Sequence, residues 1–322
     1  MTHTLHRATL KLQTPLGTPL TGDTLFGQMC WALRAARGDA ELVRRIAGYT
    51  AGEPWLVVSD GFPAGYLPKP SLPQHFEPLI DPAARKAAKR KRWIPVDKFA
   101  LGEQTHSLAA LLGSAVDDSV AFEKMAPVAA TQMHNTLNRL TGTTGEGEFA
   151  PYTTQTIFHA PGQRMDLYLG LDDARATPDE VGALLTAIGA SGFGRDASVG
   201  LGKFLLETIV PFACTPPPGA DGHWTLAPCV PRGGHFDRQR SYWRVLTRFG
   251  RHGNLHALGG NPFKTPILLA GTGAVLTPSG PFTPRVFVGT GIGGDGRLSK
   301  VEPGTVHQGY APALPLAMGV AS

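Results

Sequence analysis

The chain has 322 residues, enough for two domains of ordinary size, and 42% of them are hydrophobic, which suffices for a buried core. It contains no run of about 18 apolar residues, which excludes a predicted transmembrane helix. Three widely spaced cysteines predict no zinc site and fit a reducing compartment, and the N-terminus lacks a signal-peptide pattern. We therefore expect a cytoplasmic protein with no membrane partner.

The net charge of +5 is concentrated in one short segment. Residues 85–92 hold six cations and no anion, whereas the other 24 Lys and Arg residues face 25 Asp and Glu residues. A solvated charged loop would explain this run, but the same pattern is typical of a contact with a polyanion, above all nucleic acid. The candidate RNA contacts of the segment are Lys89, Arg90 and Arg92.

The first predicted elements are a strand, a helix and a second strand. Residues 5–12 alternate apolar and polar side chains, which predicts a half-buried strand, and residues 55–59 predict another. A helix is predicted to begin at 21–23 and to end before Gly38. Capping alone explains the residues at its start, but a capped N-terminus beside a glycine also suits a bound phosphate. The candidate RNA contacts there are Thr21, Gly22 and Asp23.

A proline-rich stretch and a polar strand follow. We interpret about 66–97, which includes the basic run, as an insertion outside the core that forms a protruding hairpin or arm. Residues 131–139 predict a strand with a hydrogen-bonding face. Its candidate RNA contacts are His134, Asn135 and Arg139. Strands are also predicted at 155–159 and 164–170, joined by a turn.

A glycine-rich loop, residues 192–204, lies between a predicted helix, which Thr177 and Pro178 begin, and a strand at 203–210. The loop has four glycines within eleven residues. Positive φ angles and free N–H groups would let it cradle phosphates, although a tight turn is the simpler explanation. The order helix, loop, strand excludes a dinucleotide fingerprint, which needs strand, loop, helix. The candidate RNA contacts are Gly192, Phe193 (through base stacking), Gly194, Arg195, Asp196, Ser198, Gly200, Gly202 and Lys203.

The fold class predicted from these elements is α+β. The order strand, helix, strand, strand, helix, strand is that of the ferredoxin-like fold, which the RNA recognition motif shares. We assign residues 1–212 to this domain and 220–322 to a second, degenerate domain of the same kind, separated by a proline-rich stretch at 215–219. Candidate RNA contacts in the second domain are Arg248 and, in a second glycine-rich loop, Gly291 and Gly293.

Four motifs give the chain a resemblance to a known family. They are Gly-Asp-Thr-Leu-Phe-Gly at 22–27, His-Asn-x-x-x-Arg at 134–139, the glycine-rich loop, and His-Gln-Gly-Tyr-Ala-Pro at 307–312. With them the chain resembles the RAMP superfamily of CRISPR effector subunits. More narrowly, it is similar to the group that caps the 5′ end of the guide RNA in type III-A (Csm) complexes. The resemblance spans nearly the whole chain.

The resemblance implies a non-catalytic subunit without a cofactor. Such a subunit would bind the 5′ handle of the crRNA, cap the filament of repeating backbone RAMP subunits, and dock the large polymerase-like subunit. It would meet target RNA only indirectly. By the same resemblance, the basic segment would belong to a thumb-like insertion.

Two other functions remain open from the sequence. Some RAMP relatives cut RNA, and His134 could act as the base of an endoribonuclease that processes precursor crRNA, with Arg139 stabilising charge, but no second histidine is placed to act as the acid. A protein that only contacts other subunits, without RNA, would not need the glycine loops and the basic run. No metal site is predicted, because no carboxylate motif accompanies His252 and His256.

Overall fold

The computed structural model describes residues 2–77, 85–100, 108–122, 125–253 and 262–319. The helices in these ranges are α1 (Gly22–Arg37), α2 (Asp39–Ile46), α3 (Arg85–Ala88), α4 (Asp97–Ala100), α5 (Leu108–Gly113), α6 (Asp118–Ala121) and α7 (Pro178–Ser191). The strands are β1 (His3–Leu12), β2 (Leu56–Val58), β3 (Phe62–Pro63), β4 (Tyr66–Pro68), β5 (Trp93–Pro95), β6 (Val128–His134), β7 (Tyr152–Phe158), β8 (Arg164–Asp172), β9 (Phe204–Pro211), β10 (Gly222–Thr225), β11 (Val245–Arg248), β12 (Ile267–Ala270), β13 (Val275–Leu276), β14 (Phe287–Gly289), β15 (Ile292–Gly293), β16 (Val306–His307) and β17 (Tyr310–Leu316).

A five-stranded antiparallel sheet organises the first half of the chain. Its order is β2–β8–β1–β9, with β3 also paired to β8. Alternate residues Ala8, Leu10 and Leu12 of β1 are buried, as expected for a strand with one face on a core. The long helices α1 and α7 contact each other. The predicted mixture of helices and strands is confirmed.

The helix boundaries follow from local signals. In α7, the Thr177 side chain caps the helix by accepting a hydrogen bond from the Glu180 N–H (3.2 Å), and Pro178 occupies the first turn. In α1, the buried stripe from Leu25 to Leu33 has helical spacing, and Gly38 follows the last residue with a φ of 85°. Both helices lie where the sequence predicts them.

A second antiparallel sheet, of order β13–β10–β17–β14, organises the other half. Within the described part of the chain after β9, no helix accompanies it. Buried polar groups join the two halves: the Gln308 amide bonds both backbone groups of Val58 (2.8 and 2.7 Å), and the Tyr310 hydroxyl donates to the Tyr49 carbonyl (2.6 Å). The motif at 307–312, one of the four on which the family resemblance rests, therefore has a packing role in this protein.

The segment at 66–97 differs from its prediction. Its strands β4 and β5 pair with each other, and Leu67 and Ile94 are fully buried in a core that also contains Trp224. The expectation that this insertion lies outside the core is therefore wrong for these strands. Residues 78–84 of the insertion lie outside the described residues.

The exposed hairpin is instead β6–β7. The strand predicted to reach Arg139 ends at His134. A turn leads from β7 to β8 as predicted, but β7 pairs with β6. Nearly every side chain of β6 is exposed, including Met133 at 79%. Since β6 lacks a buried face, the alternation that marks other strands could not locate this pairing.

Candidate nucleic-acid interface

The glycine-rich loop is fastened to the segment just after β1. The Phe193 N–H donates to the Gly202 carbonyl (2.9 Å), and the Gly202 N–H donates to the Pro15 carbonyl (2.8 Å). The Lys203 N–H is bound by the Thr14 hydroxyl (2.8 Å). Gly202 has a φ of 74°, and a Cβ there would lie 2.1 Å from the Phe193 carbonyl oxygen. The loop is thus a preformed turn whose glycines permit close backbone packing.

Most N–H groups of this loop are not free for a phosphate. Gly194 donates to the Gln28 side chain (3.2 Å) and Arg195 to the Thr18 hydroxyl (3.0 Å). The Gly200 N–H, like those of the residues on either side of it, donates to a carbonyl within the loop. Only part of the predicted phosphate cradle is therefore available, and its RNA role stays a prediction. The N–H groups of the tip residues Asp196, Ala197 and Ser198 form no hydrogen bond with the residues that the structure describes, and Ser198 is exposed.

The side chains of the loop divide into buried and exposed groups. Phe193 is fully buried in the core beneath α7, so the prediction that it stacks on an RNA base is wrong. The Arg195 guanidinium is about half exposed, donates to the Gln155 carbonyl, and lies 3.2 Å from the Asp196 carboxylate. Asp196 takes the left-handed conformation, with φ at 61°. Arg195 and Lys203 remain the cations of this loop that a ligand can reach.

The N-terminus of α1 is occupied by the protein's own carboxylate. The Gly22 N–H donates to Asp60 Oδ1 (2.7 Å), and the Thr272 hydroxyl donates to the other oxygen of Asp60. Thr21 bonds the Thr24 hydroxyl (2.9 Å). Burial raises the pKa of Asp60 to about 7, against the lowering effect of the hydrogen bonds from Thr272 and Gly22. Because Asp60 already takes the Gly22 N–H and both Gly22 and Asp23 are buried, the phosphate site predicted at 21–23 is left without support.

Asp23 belongs to a buried charge cluster rather than to an RNA surface. Its carboxylate is fully buried and accepts two hydrogen bonds from Arg248 (2.6 and 3.1 Å), and His307 Nε2 lies 3.4 Å away. Burial would raise the pKa of Asp23, but His307 and Arg248 lower it to about 2. Arg248 is held in this pair with a quarter of its side chain exposed, and its RNA contact stays a prediction.

The predicted residues of the polar strand lie at the end of the β6–β7 hairpin. His134, Asn135 and Arg139 are all exposed. The His134 ring stacks on Tyr152 (5.2 Å between centroids), and its Nε2 lies 3.0 Å from the Thr154 hydroxyl. These contacts include no second histidine. The three residues are accessible to a ligand, and their RNA role stays a prediction.

The basic segment contributes to a groove that sequence reasoning did not identify. Lys89 and Arg90 are exposed, and Arg92 is bound by Asp118 (Nε to Oδ1, 2.8 Å). Lys89 and Arg92 line the groove, which has a volume of about 1540 Å³. The groove also contains Lys91 of the same basic run. Its other basic and aromatic residues, missed by the sequence analysis, include Lys69, His75, Arg238, Tyr242, Trp243 and Arg244. The arginine-rich composition of residues 232–256 was a signal for part of this set.

The second glycine-rich loop is packed closely against the rest of the protein. Gly291 is buried, and a Cβ there would lie 2.6 Å from the Tyr49 carbonyl oxygen. Gly293 pairs with Val306 between β15 and β16. Both glycines therefore let the second half pack closely, which leaves their predicted RNA contact without support.

The described ranges contain neither a group of three or more residues suited to a metal ion nor a helix long and apolar enough to cross a membrane. His252 is buried and bonds the Ser299 hydroxyl (2.8 Å). His256 lies outside the described residues.

Comparisons with known proteins give a family and a fold. The model of the RAMP superfamily matches residues 16–205, and no curated protein matches the sequence. A chain of the crystal structure of the Csm1–Csm4 cassette in complex with pppApA is 16% identical, with a TM-score of 0.55 over 98% of this chain and 99% of that chain. A chain of the Csm3–Csm4 subcomplex in the type III-A CRISPR-Cas interference complex is 12% identical, with a TM-score of 0.56 over 96% and 99%. At these identities the likeness is one of fold.

Proposed function

The chain belongs to the RAMP superfamily, and we propose that it is the Csm4-like subunit of a type III-A CRISPR interference complex. In this role it binds the 5′ handle of the crRNA, caps the filament of backbone subunits, and docks the large polymerase-like subunit. One observation carries the proposal: the fold likeness extends over nearly the full length of this chain and of its counterparts. Csm4 is the protein that the two complexes have in common.

Within this proposal the fold is a pair of ferredoxin-like domains. The sheet order β2–β8–β1–β9 with α1 and α7 supports this assignment for the first domain. The second domain is a degenerate version, built on the sheet of β10 and β17. The exposed β6–β7 hairpin, rather than the strands at 66–97, is the thumb-like projection.

The RNA contacts in this proposal are the accessible cations and polar groups. Arg195 and Lys203 flank the glycine-rich loop, while His134, Asn135 and Arg139 lie at the hairpin end. We propose that the role is non-catalytic: among the described residues, the contacts of His134, the Tyr152 ring and the Thr154 hydroxyl, bring no second histidine to serve as its acid partner.

Co-expression with the neighbouring subunits, followed by sequencing of the co-purified RNA, tests the proposal. We expect crRNAs that share one uncut 5′ handle, and less of this RNA after Arg195→Ala and Lys203→Ala. A complex without crRNA would contradict the function. Precursor RNA that is cleaved only when His134 is intact would instead identify the chain as a processing endoribonuclease.

A further inference from the structure

A basic groove runs between the two halves of the chain. One wall consists of residues 68–77 and 88–93 from the first half, and the other of residues 238–244 from the second half. The volume of about 1540 Å³ is large enough for several linked chemical groups rather than one ion. The groove does not include the glycine-rich loop or the β6–β7 hairpin.

The charges that face this groove are unbalanced. The two carboxylates among its described lining residues are already engaged: Glu77 pairs with Lys69 (2.6 Å), and Asp60 accepts hydrogen bonds from Gly22 and Thr272. Four further cations are exposed and form no ion pair with any residue that the structure describes. They are Lys89, Lys91, Arg238 and Arg244. Unpaired cations on both walls create a positive potential that attracts a polyanion.

The groove also offers an aromatic face. Trp243, between the two arginines of one wall, is 40% exposed. The neighbouring Tyr242 ring packs edge-on against Phe76, with 5.5 Å between the ring centroids, and this contact holds the backbone next to Trp243 in place. An exposed indole among cations is the arrangement with which proteins hold single-stranded nucleic acid, because every base can stack on it.

The floor of the groove is held by backbone hydrogen bonds. Ser71 donates to the Gly273 carbonyl (2.7 Å), Lys69 to the Arg92 carbonyl (2.7 Å), and Tyr242 to the Val275 carbonyl (2.8 Å). The first of these bonds joins the two halves of the chain. The walls are therefore pre-positioned, and binding need not order them first.

We propose that this groove binds a short single-stranded stretch of RNA, with phosphates on Lys89, Lys91, Arg238 and Arg244 and one base stacked on Trp243. The choice of RNA over another polyanion rests on the proposed function. An acidic peptide would satisfy the cations but would not use the flat indole face, so RNA accounts for more of the site.

Two variants separate the charge contacts from the stacking contact. The probe is a fluorescent single-stranded oligouridylate, titrated onto the full chain over a series of salt concentrations. Arg238→Ala with Arg244→Ala should weaken binding and reduce the magnitude of the log–log salt slope by roughly 1.4, since each lost phosphate contact contributes about 0.7. Trp243→Ala should raise Kd by about tenfold with the slope unchanged, and Trp243→Phe should restore part of the affinity.

The matched control is Arg297→Ala with Lys300→Ala, which removes the same charge from exposed positions away from the groove. Equal thermal midpoints for all variants would show that folding is intact. If the arginine pair changes Kd and slope no more than this control does, the proposal is wrong. Competition by polyglutamate but not by unlabelled RNA would make the groove a peptide site and overturn it as well.

The result is distinguishable from a failure of the proposed function. Complexes that carry handle-bearing crRNA while the groove variants bind oligouridylate like the control would refute the groove alone. Complexes without crRNA would refute the function, and the direct titration would still decide whether the groove binds RNA.

Discussion

The carboxylate of Asp23 is a buried negative charge that depends on the guanidinium of Arg248, which comes from the second half of the chain. Arg248→Ala would leave this charge without its bidentate partner, so we expect a loss of about 3 kcal/mol of unfolding free energy. Urea denaturation measures it. The control is Arg297→Ala, because the Arg297 side chain is 91% exposed and lies 3.4 Å from the exposed Asp295. Equal denaturation midpoints for the two variants would contradict this account of the cluster.

Asp60 should give the protein an unusual pH dependence. Its folded-state pKa of about 7 lies above its ordinary value of 3.8, so the folded protein keeps a proton that the unfolded chain has lost. Between these values, stability therefore falls as the pH rises. Asp60→Asn removes this titration, and its stability relative to the parent should increase from about pH 5 to about pH 8. A constant difference over this range would show that Asp60 does not titrate there.

Single residues were the hardest feature to predict from the sequence. The motif at 22–27 was located correctly, but the partner of Asp23 lies 225 positions away, and nothing in the local pattern indicates that pair. The prediction of an exposed Phe193 failed for the same reason. Its glycine-rich neighbours suggested an open loop, whereas tertiary packing buries its ring. The exposed Arg195 and the half-buried Lys203 were identifiable because charge itself favours the surface.

At the scale of elements, the turn that closes the glycine-rich loop can be tested through two of its glycines. Gly200 has a φ of 97° and open space around it, so Gly200→Ala should cost about 1 kcal/mol through backbone strain alone. Gly202 has a φ of 74° and a backbone oxygen 2.1 Å from any Cβ, so Gly202→Ala should cost clearly more. Thermal or urea unfolding compares them, and equal losses would mean that the close approach to Phe193 is not limiting.

Elements with strong local signals were predictable and those defined by pairing were not. The capping residues of α7 and the stripe of α1 fixed both helices, and the alternation of β1 fixed that strand. The pairing of β6 with β7 was not predicted. The side chains of β6 are almost all exposed, so the sequence has no hydrophobic alternation that would indicate the register of this hairpin. The strands at 66–97 were predicted to lie outside the core because prolines and charges dominate this segment. The structure buries Leu67 and Ile94 between them.

For the whole molecule, the central feature is that two sheets share one interface. Gln308 and Tyr310 bond the backbone of the first half, and Ser71 bonds that of the second. The sequence predicted the mixed α+β class and the RAMP resemblance, because composition and short motifs carry that information. It did not predict the groove between the halves, since its walls are separated by more than a hundred residues along the chain.

The most direct test of the central claim is site-specific crosslinking in the assembled complex. A photoreactive uridine is placed either in the 5′ handle of the crRNA or near its 3′ end, and the crosslinked subunit is identified by mass spectrometry. We predict that the handle position crosslinks to this chain and that the 3′ position does not. A handle that crosslinks only to other subunits, with this chain reached from the 3′ end or not at all, would contradict the account.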